Sequence, residues 1–221
     1  MKITALLFDL DHTLGFDQHL EAKVLHSLAQ THHLPFSEDC LQFFLKQFQS
    51  GKISLKELFL NVFQEKTAPT VEKLKEEYRQ ICLKEAPICT KTIPGAKELF
   101  NFLLGNKIPF AIFSNGWKKL QEAKAKAIGF PNRVLTSEEI GKWKPNPEAF
   151  QEAVTRLGYS LESTLYIGDS PENDVAGAKN AGMPACWFNP EHKNYPENLP
   201  KPDFILHALE ELCQLVLLIL S

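Results

Sequence analysis

The sequence predicts an α/β fold, a mainly parallel sheet covered on both faces and carrying one all-helical insert. Three observations predict it. The run Ile3-Thr4-Ala5-Leu6-Leu7-Phe8 is apolar and β-branched without alternation, as in a strand buried on both faces. From Gly95 onward, strand-like and helix-like segments alternate regularly, the pattern of successive βα units. Between these regions, from Phe16 to about Glu85, apolar residues recur only at helical spacing.

In chain order, the first strand leads into Phe8-Asp9-Leu10-Asp11-His12-Thr13-Leu14. Two aspartates therefore fall at the strand's C-terminal end, where open α/β sheets place their ligands. In the insert, Leu20, Val24, Leu25 and Leu28 mark one helix, and Leu41, Phe44, Leu45 and Phe48 a second. Ser54-Leu55-Lys56-Glu57 is a capping box opening a third helix with Leu58, Val62 and Phe63. Thr70-Val71-Glu72-Lys73 starts a fourth, with Val71, Leu74, Tyr78, Ile81 and Cys82 inward. The exits are short, Gly15 on one side and Ala86-Pro87 through Pro94-Gly95 on the other. Such linkers allow an insert to move as a lid. The expected division is a core of residues 1–15 and 91–221 and a helical cap of residues 16–90.

The second half predicts helix 96–104, strand 109–113, helix 117–128 and short strand 133–135. Asn146 then caps a helix with Pro147 at its first position. Strand 164–167 is followed by a helix from Glu172 to Ala181, ended by Gly182. Strands 185–188 and 203–206 come next, and an apolar helix from Ala208 closes the chain, its Leu215–Leu220 run expected to be buried in the monomer.

With 221 residues, 44% of them hydrophobic, the chain can bury a sizeable core. A net charge of −3 with no basic run leaves no electrostatic footprint for a nucleic-acid polymer. Five cysteines (Cys40, Cys82, Cys89, Cys186, Cys213) are odd in number and form no C-x-x-C pair. They fit reduced cytosolic thiols better than a disulfide framework or a zinc site. The N-terminus lacks the pattern of a signal peptide, and Leu215–Leu220 is far too short to span a bilayer. The expectation is a cytoplasmic protein without a membrane partner, a monomer or homodimer.

Chemistry concentrates at four strand ends. Asp9 and Asp11 can face one crevice, and carboxylates that close need a cation or a shared proton. A hard divalent ion with oxygen ligands, most simply Mg²⁺, meets that need. Ser114-Asn115-Gly116 offers a hydroxyl and backbone N–H groups where a helix begins, a natural phosphate seat. Gly116 there lets the backbone approach closely. Lys144, in Gly141-Lys142-Trp143-Lys144-Pro145-Asn146-Pro147, could balance a phosphoryl group and its carboxylates, while Lys142 reads as a solvated surface charge. Asp169 follows the strand Leu165-Tyr166-Ile167, as a metal ligand should, and Asp174 opens the next helix, where the macrodipole favours an acid. Parallel folding would gather all of these in one crevice.

In their order, these four stretches resemble the haloacid dehalogenase-like hydrolase superfamily, from Lys2 to Leu14 and from Pro94 to about Leu212. The insert matches that family's cap in position and type, with no motif of its own. The resemblance implies a Rossmann-like core and Mg²⁺-dependent hydrolysis of a phosphomonoester through an aspartyl-phosphate. By the same resemblance Asp9 is the nucleophile, and Asp11 protonates the leaving oxygen and then activates water. Asp9 must then be ionised against the metal, while Asp11 needs a proton to donate. Thr13 would hold the nucleophile loop. Ser114, the N–H groups near Asn115 and Gly116, and Lys144 would bind the phosphoryl. The metal would take Asp9, the backbone carbonyl of Asp11 and Asp169, with Asp174 supporting.

The superfamily's dehalogenases lack the second acid and need no metal, so Asp11 argues against that branch. Phosphomutases keep both acids, and a non-catalytic binding protein would have lost one of the four motifs. Ser114-Asn115-Gly116-Trp117 with Leu120-Gln121, Ser137-Glu138-Glu139-Ile140-Gly141, and Ala185-Cys186-Trp187-Phe188-Asn189 resemble the bacterial pyrimidine 5′-nucleotidase branch. The implied partner is a small phosphorylated metabolite, first a nucleoside 5′-monophosphate. The alternatives are a small sugar or organic acid phosphate such as phosphoglycolate, or a phosphomutase reaction. Phe16, Asp17 and Trp117 are candidates for touching the leaving group.

Overall fold

The computed structural model describes residues 2–17, 19–49, 52–63 and 70–219. The chain divides into two compact units, Met1–Phe16 with Thr90–Ser221, and Asp17–Cys89. In chain order the elements are β1 (Ala5–Phe8), β2 (Gly15–Asp17), α1 (Leu20–His32), α2 (Glu38–Gln49), α3 (Leu55–Val62), α4 (Val71–Cys89) and β3 (Thr90–Thr92). There follow α5 (Ala96–Gly105), β4 (Phe110–Ser114), α6 (Lys118–Ala127), β5 (Val134–Thr136), α7 (Ser137–Ile140) and α8 (Pro147–Leu157). The chain ends with β6 (Thr164–Gly168), α9 (Gly177–Asn180), β7 (Ala185–Phe188), β8 (Phe204–Leu206) and α10 (Leu209–Ile219).

The first unit is a six-stranded sheet in the order β5-β4-β1-β6-β7-β8, every pairing parallel. β1 lies inside it, Leu6 facing Phe110 on one side and Leu165 on the other. Side chains alternate across a strand. Leu6 and Phe8 therefore pack with Leu99, Leu103, Ile128, Leu209 and Val216, whereas Leu7 packs on the opposite face with Phe113, Phe150, Tyr166 and Val175. Two dry faces explain why β1 reads as an unbroken apolar run. On α10, Leu209, Leu212 and Val216 form the buried stripe, but Leu217 and Leu218 lie off it and stay exposed. The expected burial of Leu215–Leu220 thus holds only for the stripe, and Leu220 lies outside the described residues.

The second unit is helical. α1 packs on α4, and α3 on both α2 and α4. Its core includes Leu20, Val24, Leu28, Leu41, Leu58, Phe59, Leu74 and Cys82. The capping box forms, with the Ser54 N–H donating to Glu57 at 2.7 Å and the Glu57 N–H to the Ser54 hydroxyl at 3.3 Å. The exit read as a Pro-rich linker is different. α4 runs through Pro87 to Cys89, where Ala86 and Cys89 are buried, and Thr90–Thr92 is a strand paired with β2. Packing of those flanking residues outweighs the cost of a proline in the last helical turn. Among the described residues, no helix is long and apolar enough to cross a membrane.

After β6 the expected helix starts as a π-helical turn, Pro171–Ala176, before α9. The Ser170 hydroxyl caps it by accepting from the Asn173 N–H at 3.1 Å. The wider turn keeps Asp174 buried beside the strand ends, and such turns are frequent at functional sites.

Candidate active site

All six strands are parallel, so their C-terminal ends share one edge, and β1 brings Asp9 there. The Asp9 N–H donates to the Ile167 carbonyl at 2.8 Å, and the residue is buried. The chain then turns sharply. The N–H groups of Leu14 and Gly15 both donate to the Leu10 carbonyl at 3.0 Å, and that of His12 to the Gly15 carbonyl at 2.7 Å. Thr13 is fully buried, and among the described residues its hydroxyl has no hydrogen-bond partner. The loop is therefore held by backbone bonds, and Thr13 contributes packing rather than the expected tether.

Lys144 enters the same edge on a loop that Asn115 pins from both sides. The Asn115 amide donates to the Lys144 carbonyl at 3.0 Å, and the Lys144 N–H donates to Asn115 Oδ1 at 2.9 Å. The buried ammonium donates to Asp9 at 2.6 Å, to Asp174 at 2.7 Å and to the Tyr166 hydroxyl at 2.8 Å. An ammonium has three donors, and all are used. Burial opposes its charge, but Asp174 and Asp9 outweigh burial and hold Lys144 well above the ordinary lysine value. The second Asp174 oxygen accepts from the Ser170 N–H at 2.9 Å. Gly168 is required beneath it, because any Cβ there would run into the Asp174 carboxylate.

One oxygen from each of Asp9, Asp169 and Asp174 lies within 4.8 Å of the others. Burial, opposed by Lys144 and reinforced by Asp174, Asp169 and Asp11, pushes Asp9 up to about 8. Burial and then Asp174 push Asp169 up to about 7. The Trp187 indole N–H fixes the Asp169 backbone by donating to its carbonyl at 2.8 Å. Hard carboxylate oxygens in excess over nearby ammonium groups form a donor set that could hold a divalent cation.

Asp11 stands apart from this trio. Its carboxylate accepts from Lys124 at 2.9 Å and from the Gln121 amide at 3.0 Å, both on α6. Burial pushes Asp11 up, but the Lys124 charge and the two hydrogen bonds outweigh it and hold the group below the usual aspartate value. The proton expected on Asp11 is thus disfavoured in this setting, which presents an ionised acceptor.

The phosphate seat also differs from expectation at one position. Ser114 is buried, and among the described residues its hydroxyl reaches only the Asn115 carbonyl, at 3.4 Å. The Gly116 N–H is committed to the Ser137 hydroxyl at 2.9 Å, and the Lys118 N–H to Glu138 at 3.0 Å. What Gly116 provides is space. It sits at φ 133°, and a Cβ there would lie 2.8 Å from the Gln121 amide nitrogen.

Lys142 is exposed and pairs with Glu148. Trp117 is half-buried at the N-cap of α6. Residues not singled out for this chemistry from sequence are Gln121, Lys124, Ser137, Tyr166 and Trp187. No local signal marks Gln121 or Lys124, because the burial of Gln121, Lys124 and Ala125 is set by how α6 packs on the sheet.

Asp9 and Asp169 follow two neighbouring parallel strands, an ammonium is bound between Asp9 and Asp174, and the Ser114 hydroxyl ends a third strand. The site thus gathers acids, a buried cation and a hydroxyl at one edge of a parallel α/β sheet. The family described as haloacid dehalogenase-like hydrolase matches residues 3–182, and the chain belongs to it. The HAD-hydrolase YfnB of Bacillus subtilis is 30% identical over 96% of this chain and 94% of its own. Its crystal structure, described as bound to magnesium and revealing interdomain movement, covers 98% of this chain and 99% of its own with a TM-score of 0.75. Pyrimidine 5′-nucleotidase YjjG of Escherichia coli is 36% identical, a match spanning 59% of this chain and 59% of that protein. Pyrimidine 5′-nucleotidase PynA of Streptococcus pneumoniae is 26% identical over 94% of this chain and 92% of its own.

Proposed function

We propose that this hydrolase cleaves phosphomonoesters through an aspartyl-phosphate on Asp9, with nucleoside 5′-monophosphates as its substrate class. The observation that carries the chemistry is the buried Lys144 bridge between Asp9 and Asp174 beside Asp169. It fixes a nucleophile and a charge-balancing cation in one place, and phosphoryl transfer depends mainly on positioning and charge neutralisation. Asp9 would attack phosphorus while Ser114 and the Asn115 N–H orient the phosphoryl oxygens. Asp11 would then activate water against the aspartyl-phosphate. Asp9 and Asp169, with the Asp11 carbonyl and Asp174 in support, would hold Mg²⁺, which neutralises phosphoryl charge and favours ionised Asp9. The unit Asp17–Cys89 would supply the cap.

The nucleotide reading is supported by the likeness to YjjG and PynA. The stretches that resemble that branch are mostly framework and speak for kinship more than for specificity: Ser137 and Glu138 brace the chain after β4, and Trp187 braces Asp169. Five cysteines, none in a disulfide, fit a cytoplasmic setting.

The test is phosphate release with Mg²⁺ from nucleoside monophosphates, sugar phosphates, phosphoglycolate and p-nitrophenyl phosphate, with EDTA controls. Highest kcat/KM is expected for pyrimidine monophosphates. Preference for a sugar or organic acid phosphate would retain the mechanism and remove the nucleotide assignment. Transfer between sugar positions without phosphate release would indicate a mutase.

Metal binding carries its own pH signature. Asp9 and Asp169 bind protons in the folded metal-free state that the unfolded chain has already released. The metal-free protein therefore loses stability as pH rises above the ordinary aspartate value of 3.8, and the loss is complete once both groups ionise, at about 7 and about 8. Mg²⁺ competes with those protons, so its stabilisation grows over the same window. Added Mg²⁺ should raise Tm little near about pH 6 and by several degrees above about pH 8. A Tm gain independent of pH would place the metal elsewhere.

A further inference from the structure

We propose that Gln121 and Lys124 are positioning residues for Asp11, orienting its carboxylate toward the water that hydrolyses the aspartyl-phosphate. The inference rests on the phosphomonoesterase reading above. Lys124 is buried, with its side chain 5% exposed, and its ammonium lies 2.9 Å from Asp11 Oδ1. Gln121 is 4% exposed and takes the other oxygen at 3.0 Å. The two carboxylate oxygens thus receive separate donors one turn apart on α6, which fixes the orientation of the carboxylate plane.

The orientation of Gln121 is itself forced. Its amide nitrogen donates to Asp11 and, at 2.8 Å, to the Asn115 carbonyl, while its Oε1 is buried without a hydrogen-bond partner among the described residues. Turning the amide over would set an oxygen against two acceptors. A buried unpaired carbonyl is costly, so both donor contacts must outweigh that cost. Gly116 supplies the required space. Asn115 in turn holds the Lys144 backbone, and Lys144 holds Asp9. One hydrogen-bonded path therefore joins the two acids whose separation the reaction depends on.

This path acts on the second half-reaction. Water oxygen forms a new bond to phosphorus as the bond from phosphorus to Asp9 breaks, its electron pair returning to the Asp9 carboxylate. Asp11 accepts the proton that the water loses. An oriented acceptor is what this step needs, whereas attack by Asp9 on an aryl phosphate with a good leaving group needs little acid assistance.

Rapid mixing with p-nitrophenyl phosphate and Mg²⁺ separates the two steps in wild type, Lys124→Met and Gln121→Leu. Each variant should release one equivalent of p-nitrophenol at close to the wild-type phosphorylation rate. Steady-state turnover should then fall by about tenfold or more, a part of what general base catalysis supplies. Acid-quenched phosphoenzyme should accumulate accordingly. Gln121→Leu preserves size and apolar packing, so it carries the test if Lys124→Met does not fold. Parallel slowing of both steps would mark a structural role, and unchanged steady state would mark none. Either outcome overturns the proposal while leaving the phosphatase reading intact. Wild-type protein inactive on the whole ester panel would overturn that reading and the proposal together.

Discussion

Asp9→Asn should abolish phosphate release from every substrate, by at least about 10³-fold, while leaving the protein folded. The activity loss follows from chemistry, since an amide cannot open the route through an acyl phosphate. The retained fold follows from the environment of Asp9. Burial already pushes this acid up to about 8, so near neutral pH the metal-free site favours its neutral form. Asparagine is the neutral isostere, and its carbonyl can still accept from the Lys144 ammonium that now sits 2.6 Å from Asp9 Oδ1. The metal-free variant should match or exceed the Tm of the metal-free wild type, with the advantage growing as pH rises toward about 8. Its Mg²⁺-induced Tm gain should shrink, because one ligand charge is gone. Steady-state kinetics, thermal melts and mapping of the acid-trapped phosphopeptide check these outcomes together. Near wild-type turnover would remove Asp9 as nucleophile, and inactivity through unfolding would show instead that its charge is structural.

The difference between what was legible in the sequence and what was not has a physical basis. Fully buried strands are apolar on both faces, so β1, β4 and β6 announce themselves as runs, and Asp9 and Asp169 stand directly after two of them. Parallel order was not legible in the same way. β1 is flanked by Phe110 and Leu165, distant segments whose pairing is decided by packing of α5, α8 and α10 rather than by local pattern. At the site, Asp9, Lys144, Asp169 and Asp174 could be singled out because each stands beside a turn or a strand end. Lys124 could not be separated from Lys118, Lys119 and Lys126 on the same helix, because only the rotation of α6 against the sheet turns one of four lysines inward. Thr13 shows the converse. Its place in the motif implies a tether, yet its hydroxyl meets no acceptor among the described residues, and backbone bonds to Leu10 hold the loop.

Lys144→Met should cost both activity and stability, and Lys142→Met neither, although the two lysines stand two residues apart. Lys144 is 5% exposed and serves Asp9, Asp174 and Tyr166 together. Its removal leaves two buried carboxylates facing one another with a third, Asp169, alongside. Breaking a buried pair by deleting one partner typically costs about 3–5 kcal/mol, because the remaining charge is uncompensated. Asp9 and Asp169, which burial already pushes up, can relieve that cost by taking up protons, so the destabilisation of the metal-free variant should be small in mild acid and grow with pH. Activity should fall by about 10² to 10³-fold, the range for losing one preorganised group that stabilises transition-state charge. Mg²⁺ should recover part of the Tm but not the turnover, since it neutralises the acids without replacing an ammonium at that point. Lys142 pairs only across the surface with Glu148, where solvent and salt screen the interaction. Melts across pH with and without Mg²⁺, beside steady-state kinetics, separate the two lysines. Equal losses in both variants would mean that the charge of the loop, rather than the buried bridge to Asp9 and Asp174, supports the chemistry.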